Sequence, residues 1–103
     1  MNNNVAHRKL LFSEKGKHTQ KILTIYVSAP EFVAPSALPF NSDTKIAACN
    51  IEIIGFEEPY AQTMYGVDLL QALQQATDVD PILKGYNKKY DLFFEDGEPY
   101  FED

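Results

Sequence analysis

The sequence has no tryptophan, a single cysteine and no long apolar segment, and each of these absences narrows what the chain can be. Among its 103 residues only Cys49 carries a thiol, so no internal disulfide can form, which is typical of a reducing compartment. No apolar run approaches the roughly 20 residues of a membrane-spanning helix. No continuous apolar segment follows the basic residues near Met1, so we expect no signal peptide and a cytoplasmic protein.

Motifs of catalysis and metal binding are also missing. His7 and His18 have no Cys, Asp or Glu at ligand-like spacing beside them. Asp78 and Asp80 resemble the start of a calcium loop, but the Gly and Glu that should follow are not at the required positions. Cys49 shares the apolar face of an alternating strand with Ala47, Ile51 and Ile53, which favours a small buried side chain over a nucleophile. We therefore expect no metal, no cofactor and no catalytic residue.

The composition indicates one packed domain. Apolar residues make up 45% of the chain, and six tyrosines and seven phenylalanines supply bulky rings for a core. A chain of this length typically forms a single core. We expect residues 1–103 to form one domain, with residues 1–4 frayed.

Charge is distributed unevenly along the chain, whose net charge is −6. Residues 1–21 hold five basic residues and one acid, Glu14. The charged residues of the segment 57–80 are all acids. From Tyr90 onward every charged residue is an acid, and aromatic residues lie between the acids. An acidic surface repels phosphate backbones and anionic lipids and attracts basic partners. The alternative interpretation is that the acids only keep a small protein soluble.

One segment has the pattern of an amphipathic helix, Val67–Ala76. Its apolar residues recur at the spacing of a single helical stripe, and Asp68 stands where a carboxylate meets the free N–H groups of a first turn. The stripe consists of Leu69, Leu70, Leu73 and Ala76.

Alternating apolar residues predict strands in the rest of the chain. Ala6–Phe12 and Lys21–Ser28 form a hairpin with Gly16 in the turn, and Lys45–Phe56 is followed by an antiparallel strand Tyr60–Tyr65. These elements predict an α+β fold, an antiparallel sheet of four to five strands with one main helix packed across one face. The predicted core residues are Leu23, Ile25, Val27, Ile51, Ile53, Leu69, Leu70 and Leu73.

Three further segments complete the chain. Residues 29–44 contain three prolines and no periodicity, so we expect a long loop. The loop either has a function or packs across the sheet edge through its own apolar residues. Asp80 is expected to cap a short helix, with Pro81 at its first position and Gly85 at its end. The last segment predicts a hairpin around Asp96–Gly97 whose final residues lie at an edge.

The helix segment carries a resemblance to known sequences. Gly66–Val67–Asp68–Leu69–Leu70–Gln71–Ala72–Leu73, following the strand Cys49–Gly55, resembles a family of small uncharacterised bacterial domains with a Gly-Val-Asp-x-x-Gln-Ala-Leu motif. The likeness covers about residues 5–85 and departs at Ala48, where the family often has Trp before the Cys. It implies the fold and a bacterial origin, and it implies no activity.

We expect a non-enzymatic binding protein, because the size, acidity and lack of motifs are similar to those of immunity proteins that neutralise secreted bacterial toxins. The expected partner is a protein with a basic surface, not a nucleic acid or a membrane, and the oligomeric state stays open. Tyr100 is the expected anchor, since it follows Pro99 at an edge where its ring can face out. The residues expected at the contact are Glu57, Glu58, Tyr60, Asp91, Glu95, Asp96, Glu98, Tyr100 and Glu102.

Two alternatives belong to other classes. A small enzyme or ligand-binding domain would have its site under the 29–44 loop, with His7, His18, Cys49 and the tyrosines as its possible chemistry. A mimic of nucleic acid would carry carboxylates spaced like phosphates along one face.

Overall fold

The α+β class is confirmed by the computed structural model, which describes residues 4–101. The sheet has six strands rather than four or five, and two helices follow the fifth strand. In chain order the elements are β1 (Asn4–Glu14), β2 (Lys21–Ser28), β3 (Glu31–Val33), a 3₁₀ turn (Pro35–Ala37), β4 (Ile46–Ile54), β5 (Tyr60–Gly66), α1 (Leu69–Thr77), α2 (Asp80–Tyr86) and β6 (Tyr90–Phe93).

All strand pairs are antiparallel. β1 lies between β2 and β6, and β2 lies between β1 and β4. One edge of β4 pairs with β3 at residues 46–48 and with β2 at residues 51–54, while its other edge pairs with β5. β5 and β6 therefore lie at the two ends of the sheet.

The predicted hairpin of β1 and β2 is confirmed, with Gly16 at φ 81° in the turn. Asn4, expected to be frayed, is instead part of β1 opposite Ser28, while the other three residues of the expected frayed end lie outside the described part of the chain. The 29–44 segment was expected to have no regular structure, and this is wrong. It contributes β3, whose three residues pair with β4, and the short 3₁₀ turn.

One face of the sheet is covered by the helices and holds the core. The predicted core positions on β2 and β4 are all buried, which confirms the alternation. A larger cluster includes Leu83 of α2 and aromatic rings around Phe56, and a smaller one lies under α1. The five confirmed positions are Leu23, Ile25, Val27, Ile51 and Ile53.

The predicted apolar stripe of α1 is confirmed at Ala76 and wrong at Leu69 and Leu70. Leu69 and Leu70 are 39% and 64% exposed, and Leu73 is only half-buried. The face on the sheet is made by Ala72 and Ala76, both fully buried. The reason is a close approach of helix and strand: a Cβ atom on Gly66 would lie 2.5 Å from the backbone nitrogen of Ala72. Only small side chains fit between backbones at such a distance.

α1 begins at Leu69, two residues later than the predicted Val67, so Asp68 precedes the helix instead of lying in its first turn. The predicted contact of its carboxylate with free N–H groups is confirmed. Asp68 is the N-cap, and its Oδ1 accepts a hydrogen bond of 2.7 Å from the backbone N–H of Gln71. Gln71 reaches back in turn, because its Oε1 accepts from the N–H of Val67 at 2.7 Å. These reciprocal bonds satisfy two donors at the helix start.

The predicted ends of α2 need correction. Val79 is the N-cap residue, and Asp80 is the first helical residue rather than the cap. Gly85 lies inside the helix, which continues to Tyr86. Within residues 4–101, neither helix is long and apolar enough to cross a membrane.

Candidate functional site

The C-terminal segment forms a tight turn on the end of β6. The N–H of Phe94 donates to the carbonyl of Glu98 (2.8 Å), and the N–H of Gly97 donates to the carbonyl of Phe94 (2.9 Å). Gly97 has φ 92°, which favours glycine, and Asp96 Oδ1 accepts from the N–H of Glu98 at 2.9 Å. Phe93 then pairs with Pro99, so the predicted hairpin around Asp96–Gly97 is confirmed.

Tyr100 does not face out freely as expected. Its hydroxyl donates to Asp80 Oδ1 (2.5 Å) and accepts from Arg8 Nη1 (2.8 Å), and its half-buried ring packs against the main core. Burial, followed by the hydrogen bond to Asp80, raises the pKa of the phenol. Tyr100 therefore joins α2, β1 and the C-terminal segment. Its expected role as an interface anchor stays a prediction, on a ring that is less accessible than the sequence indicated.

Several of the acids have basic partners. Asp91 lies 2.7 Å from the ammonium of Lys15, and Glu57 lies 3.8 Å from that of Lys89. Lys17 pairs with Glu14, which lowers the pKa of that carboxyl through a hydrogen bond and charge attraction. The basic turn between β1 and β2 thus contacts the acidic strand β6 through Lys15 and Asp91. The charge separation seen along the sequence is reduced in space.

The residues expected at one contact lie in two separate groups. Glu57 and Glu58 are exposed in the turn between β4 and β5, and Glu57 is next to Lys89 at the start of β6. The turn of residues 95–98 follows the other end of β6, roughly 10 Å away for a strand of this length. Tyr60 is half-buried and contacts the core, and its hydroxyl bonds to Gln62.

The second group is the one with a defined shape. Glu95, Asp96 and Glu98 are all exposed on the turn, and we call residues 94–98 the acidic turn. Asp91 lies within β6 and is paired, while Glu102 lies outside the described residues.

Phe94 is a surface residue that the sequence analysis did not single out. Its side chain is 42% exposed beside the three carboxylates, and its ring lies 4.9 Å from that of Tyr100. The alternation of β6 gave no signal of this exposure, because Tyr90 and Leu92 are buried and a continued strand would place Phe94 on the same buried face. The strand ends at Phe93, and the turn carries the Phe94 ring to the surface. The acidic turn thus combines charge with an exposed aromatic ring.

The 29–44 segment borders a groove on the uncovered face of the sheet. The groove has a volume of about 740 Å³. Phe40 packs edge-on against Tyr65 with ring centroids 5.1 Å apart, and Thr63 Oγ1 donates to Asn50 Oδ1 at 2.7 Å. The polar and aromatic side chains lining it include Tyr26, Asn50, Glu52, Thr63 and Tyr65. Tyr26, Asn50 and Glu52 alternate with core residues of β2 and β4, so sequence alternation could have found these three, while Thr63 and Tyr65 come from β5.

The residues considered for catalysis do not come together. Cys49 is buried, as expected, and its thiol donates to the carbonyl of Ser28 at 3.1 Å. Burial raises the pKa of this thiol, which keeps it protonated. His7 is exposed next to Tyr26, and His18 is exposed in the β1–β2 turn. Within residues 4–101, no cluster of three or more His, Cys, Asp or Glu side chains could hold a metal ion.

Comparison with known proteins finds no relative of this chain. No protein-family model, no curated protein and no solved structure matches this chain. The resemblance of the helix motif to small bacterial domains and the likeness to immunity proteins stay predictions.

Proposed function

We propose that this protein is a non-enzymatic binding protein, an immunity protein that neutralises a cognate secreted bacterial toxin by docking on a basic surface of it. The observation that carries the proposal is the acidic turn, where the exposed residues Glu95, Asp96 and Glu98 directly follow Phe94, whose side chain is 42% exposed. Aromatic anchors with charged surroundings are typical of protein–protein contacts.

The rigidity of the acidic turn supports this role. Two backbone hydrogen bonds and the Asp96 side chain fix the turn, and Tyr100 supports Phe94 from the core side. A surface that is ordered before binding loses little conformational entropy on association. In this arrangement Phe94 is the anchor, Tyr100 positions it, and the carboxylates speed the approach of a basic partner.

The proposal also assigns the protein to the cytoplasm of a bacterium. A buried, protonated Cys49 is compatible with a reducing compartment. An immunity protein acts there on toxin that enters the cell or is made in it. A large toxin gene next to this one in the genome would support the assignment.

The decisive experiment measures binding to the C-terminal domain of that neighbouring toxin. We expect a complex with the parent, and about tenfold slower association at low salt when Glu95, Asp96 and Glu98 are all changed to Lys. The difference should shrink as salt is added, because screening removes long-range attraction. The matched control changes Glu31, Asp43 and Asp78 to Lys, which alters the net charge equally at exposed sites outside the acidic turn.

Two results would contradict the proposal. One is the absence of a complex at micromolar concentrations of both proteins. The other is an equal loss of association rate in the two triple variants, which would assign the effect to net charge and not to the acidic turn.

The groove on the uncovered sheet face favours a second candidate, a small enzyme or ligand-binding domain. Two tyrosine rings, an amide and the carboxylate of Glu52 border a space of about 740 Å³, which suits a small polar ring. A hexose and a nucleoside are suitable probes in an NMR titration that follows the side-chain amide of Asn50. A shift that is lost in Tyr65→Ala would support this candidate, and no shift at millimolar probe would rule it out for these ligand classes.

A further inference from the structure

The end strand β5 has an unusual composition for an exposed edge. Its sequence, Tyr-Ala-Gln-Thr-Met-Tyr-Gly, contains no charged residue and no proline. All seven residues pair with β4 in one continuous register, without a bulge. In the described part of the chain, the backbone of Tyr60–Gly66 makes hydrogen bonds only within its ladder with β4, so its outer edge is free. Edges usually carry charges, prolines or bulges that prevent pairing with another strand.

We propose that β5 pairs antiparallel with β5 of a second copy of this chain, about a two-fold axis at Thr63, so that the two sheets become one. Thr63 is the central residue of the strand, with three residues on either side. A two-fold axis at this position makes Thr63 its own partner and brings the free backbone groups of both edges together.

The side chains of β5 match each other about this centre. Tyr60 comes opposite Gly66 of the second copy, and Tyr65 comes opposite Ala61, so each large ring meets a small residue. Gln62 comes opposite Met64, and the two threonines face each other. Threonine pairs, and aromatic rings next to glycine, are favourable across antiparallel strands. The pairing thus places each large ring opposite a small residue and no charge opposite another within the strand.

Apolar residues next to β5 extend this surface. Val67, which directly follows the last strand residue Gly66, is 70% exposed, and Leu69, two residues further on, is 39% exposed. The chain turns from Gly66 into α1 there, so these side chains lie where the second copy's strand begins. Burial of this apolar surface adds a hydrophobic contribution to the backbone hydrogen bonds.

Charge opposes association of two copies of this chain, and the uncharged strand β5 is a place where the repulsion is small. Two molecules with a net charge of −6 repel one another, and an uncharged strand allows the closest approach. Glu58 and Asp68 flank the strand at opposite ends, so acids of the two copies come near each other at both ends of the pair. Salt screens this repulsion and should strengthen the dimer. The proposed toxin contact responds to salt in the opposite direction.

The experiment is sedimentation of the full chain over a range of concentrations. We expect a monomer–dimer equilibrium for the parent that shifts toward dimer as salt is raised. Thr63→Lys and Thr63→Glu should each weaken the dimer about tenfold or more, because like charges then face each other across the axis. An equimolar mixture of the two variants should recover the dimer. Thr19→Lys, at an exposed site in the β1–β2 turn, is the matched control and should dimerise like the parent.

The mixture is the sharpest part of the test, because only an axis at residue 63 brings Lys and Glu together. Circular dichroism checks that both variants fold, and Gln62→Lys, at an exposed side chain, replaces Thr63→Lys if it does not. A parent that stays monomeric at all concentrations and salt levels would overturn the proposal. So would a Thr63→Lys dimer as tight as the parent, or pairing of β5 with a foreign peptide instead of a second copy.

Discussion

The two ends of the sheet differ in how their backbone is protected. At the β6 end the C-terminal segment folds back, Pro99 stands opposite Phe93, and the N–H of Tyr100 donates to the carbonyl of Leu92 at 2.9 Å. At the β5 end no described segment pairs with the outer edge, and no charge or proline interrupts the strand. One end is closed by the chain itself, and the other is open.

The difference indicates which end is suited to backbone pairing with another molecule. Proline and charge at an edge are common devices against unwanted pairing, and this chain uses both at β6. Their absence at β5 is therefore specific to that end. The β6 end instead presents side chains, the acidic turn, which suits a contact made by charge and one aromatic ring.

The largest expected effect is a loss of stability at the β6 end of the sheet caused by Tyr100→Ala. The change removes ring contacts with Phe94 and Phe101 and the hydrogen bonds to Asp80 and Arg8. We expect a loss of about 2–3 kcal/mol in the free energy of unfolding, less than for a fully buried ring. Urea unfolding measures it. A loss below about 0.5 kcal/mol, typical of a surface change, would show that the C-terminal segment does not close this end.

The next effect concerns the junction of the open end with α1. Gly66→Ala places a Cβ atom within 2.9 Å of backbone atoms of Gln71 and Ala72, so the helix must move. We expect a loss of about 2 kcal/mol in unfolding free energy. Gly85→Ala is the matched control, because it has free space and lies inside a helix, where alanine stabilises by about 0.5–1 kcal/mol. Effects of the same sign for the two changes would be inconsistent with the close packing of α1.

A smaller effect isolates the hydroxyl of Tyr100. Tyr100→Phe keeps the ring and should cost about 1 kcal/mol near neutral pH. The pKa of Tyr100 is raised in the folded state, so its contribution is complete below the ordinary value of about 10 and is lost as pH rises through the higher folded value. The parent and Tyr100→Phe should therefore converge in stability only in alkali. Convergence already below pH 9 would contradict the assigned hydrogen bonds.

The smallest effect is that of the ion pair between Lys15 and Asp91. Both side chains are nearly half exposed, so solvent screens the attraction in spite of a separation of 2.7 Å. A double-mutant cycle with Lys15→Ala and Asp91→Ala should give a coupling of about 0.5 kcal/mol. A coupling above about 2 kcal/mol would mean that charge, and not the Tyr100 contacts, secures the β6 end.

The sequence predicted the strands well because their signal is local. Alternating apolar residues on β2 and β4 follow from a sheet with one buried face, and Gly16 and Gly97 mark turns that need a positive φ. β3 was missed because three residues give too short a pattern. It is held by backbone pairing with β4 rather than by buried side chains.

The wrong face of α1 and the wrong orientation of Tyr100 have a different cause. Leu69, Leu70, Leu73 and Ala76 form a good stripe in sequence, but the close approach of Gly66 to Ala72 turns the helix so that Ala72 and Ala76 are buried. The partners of Tyr100 are 20 and 92 residues away in the chain. No local pattern contains such contacts, so the hairpin around Asp96–Gly97 was predicted correctly while the position of the Tyr100 ring was not.

The contrast between the two ends is tested most directly by amide hydrogen exchange, measured residue by residue at low and high protein concentration. We expect the amides of Phe94 and Tyr100 to be protected equally at both concentrations, because their partners belong to the same chain. Every second amide of Tyr60–Gly66, those that point away from β4, should exchange rapidly in dilute solution and become protected at high concentration. Protection of these amides that does not depend on concentration, or unprotected amides at Phe94 and Tyr100, would contradict the assignment of an open and a closed end.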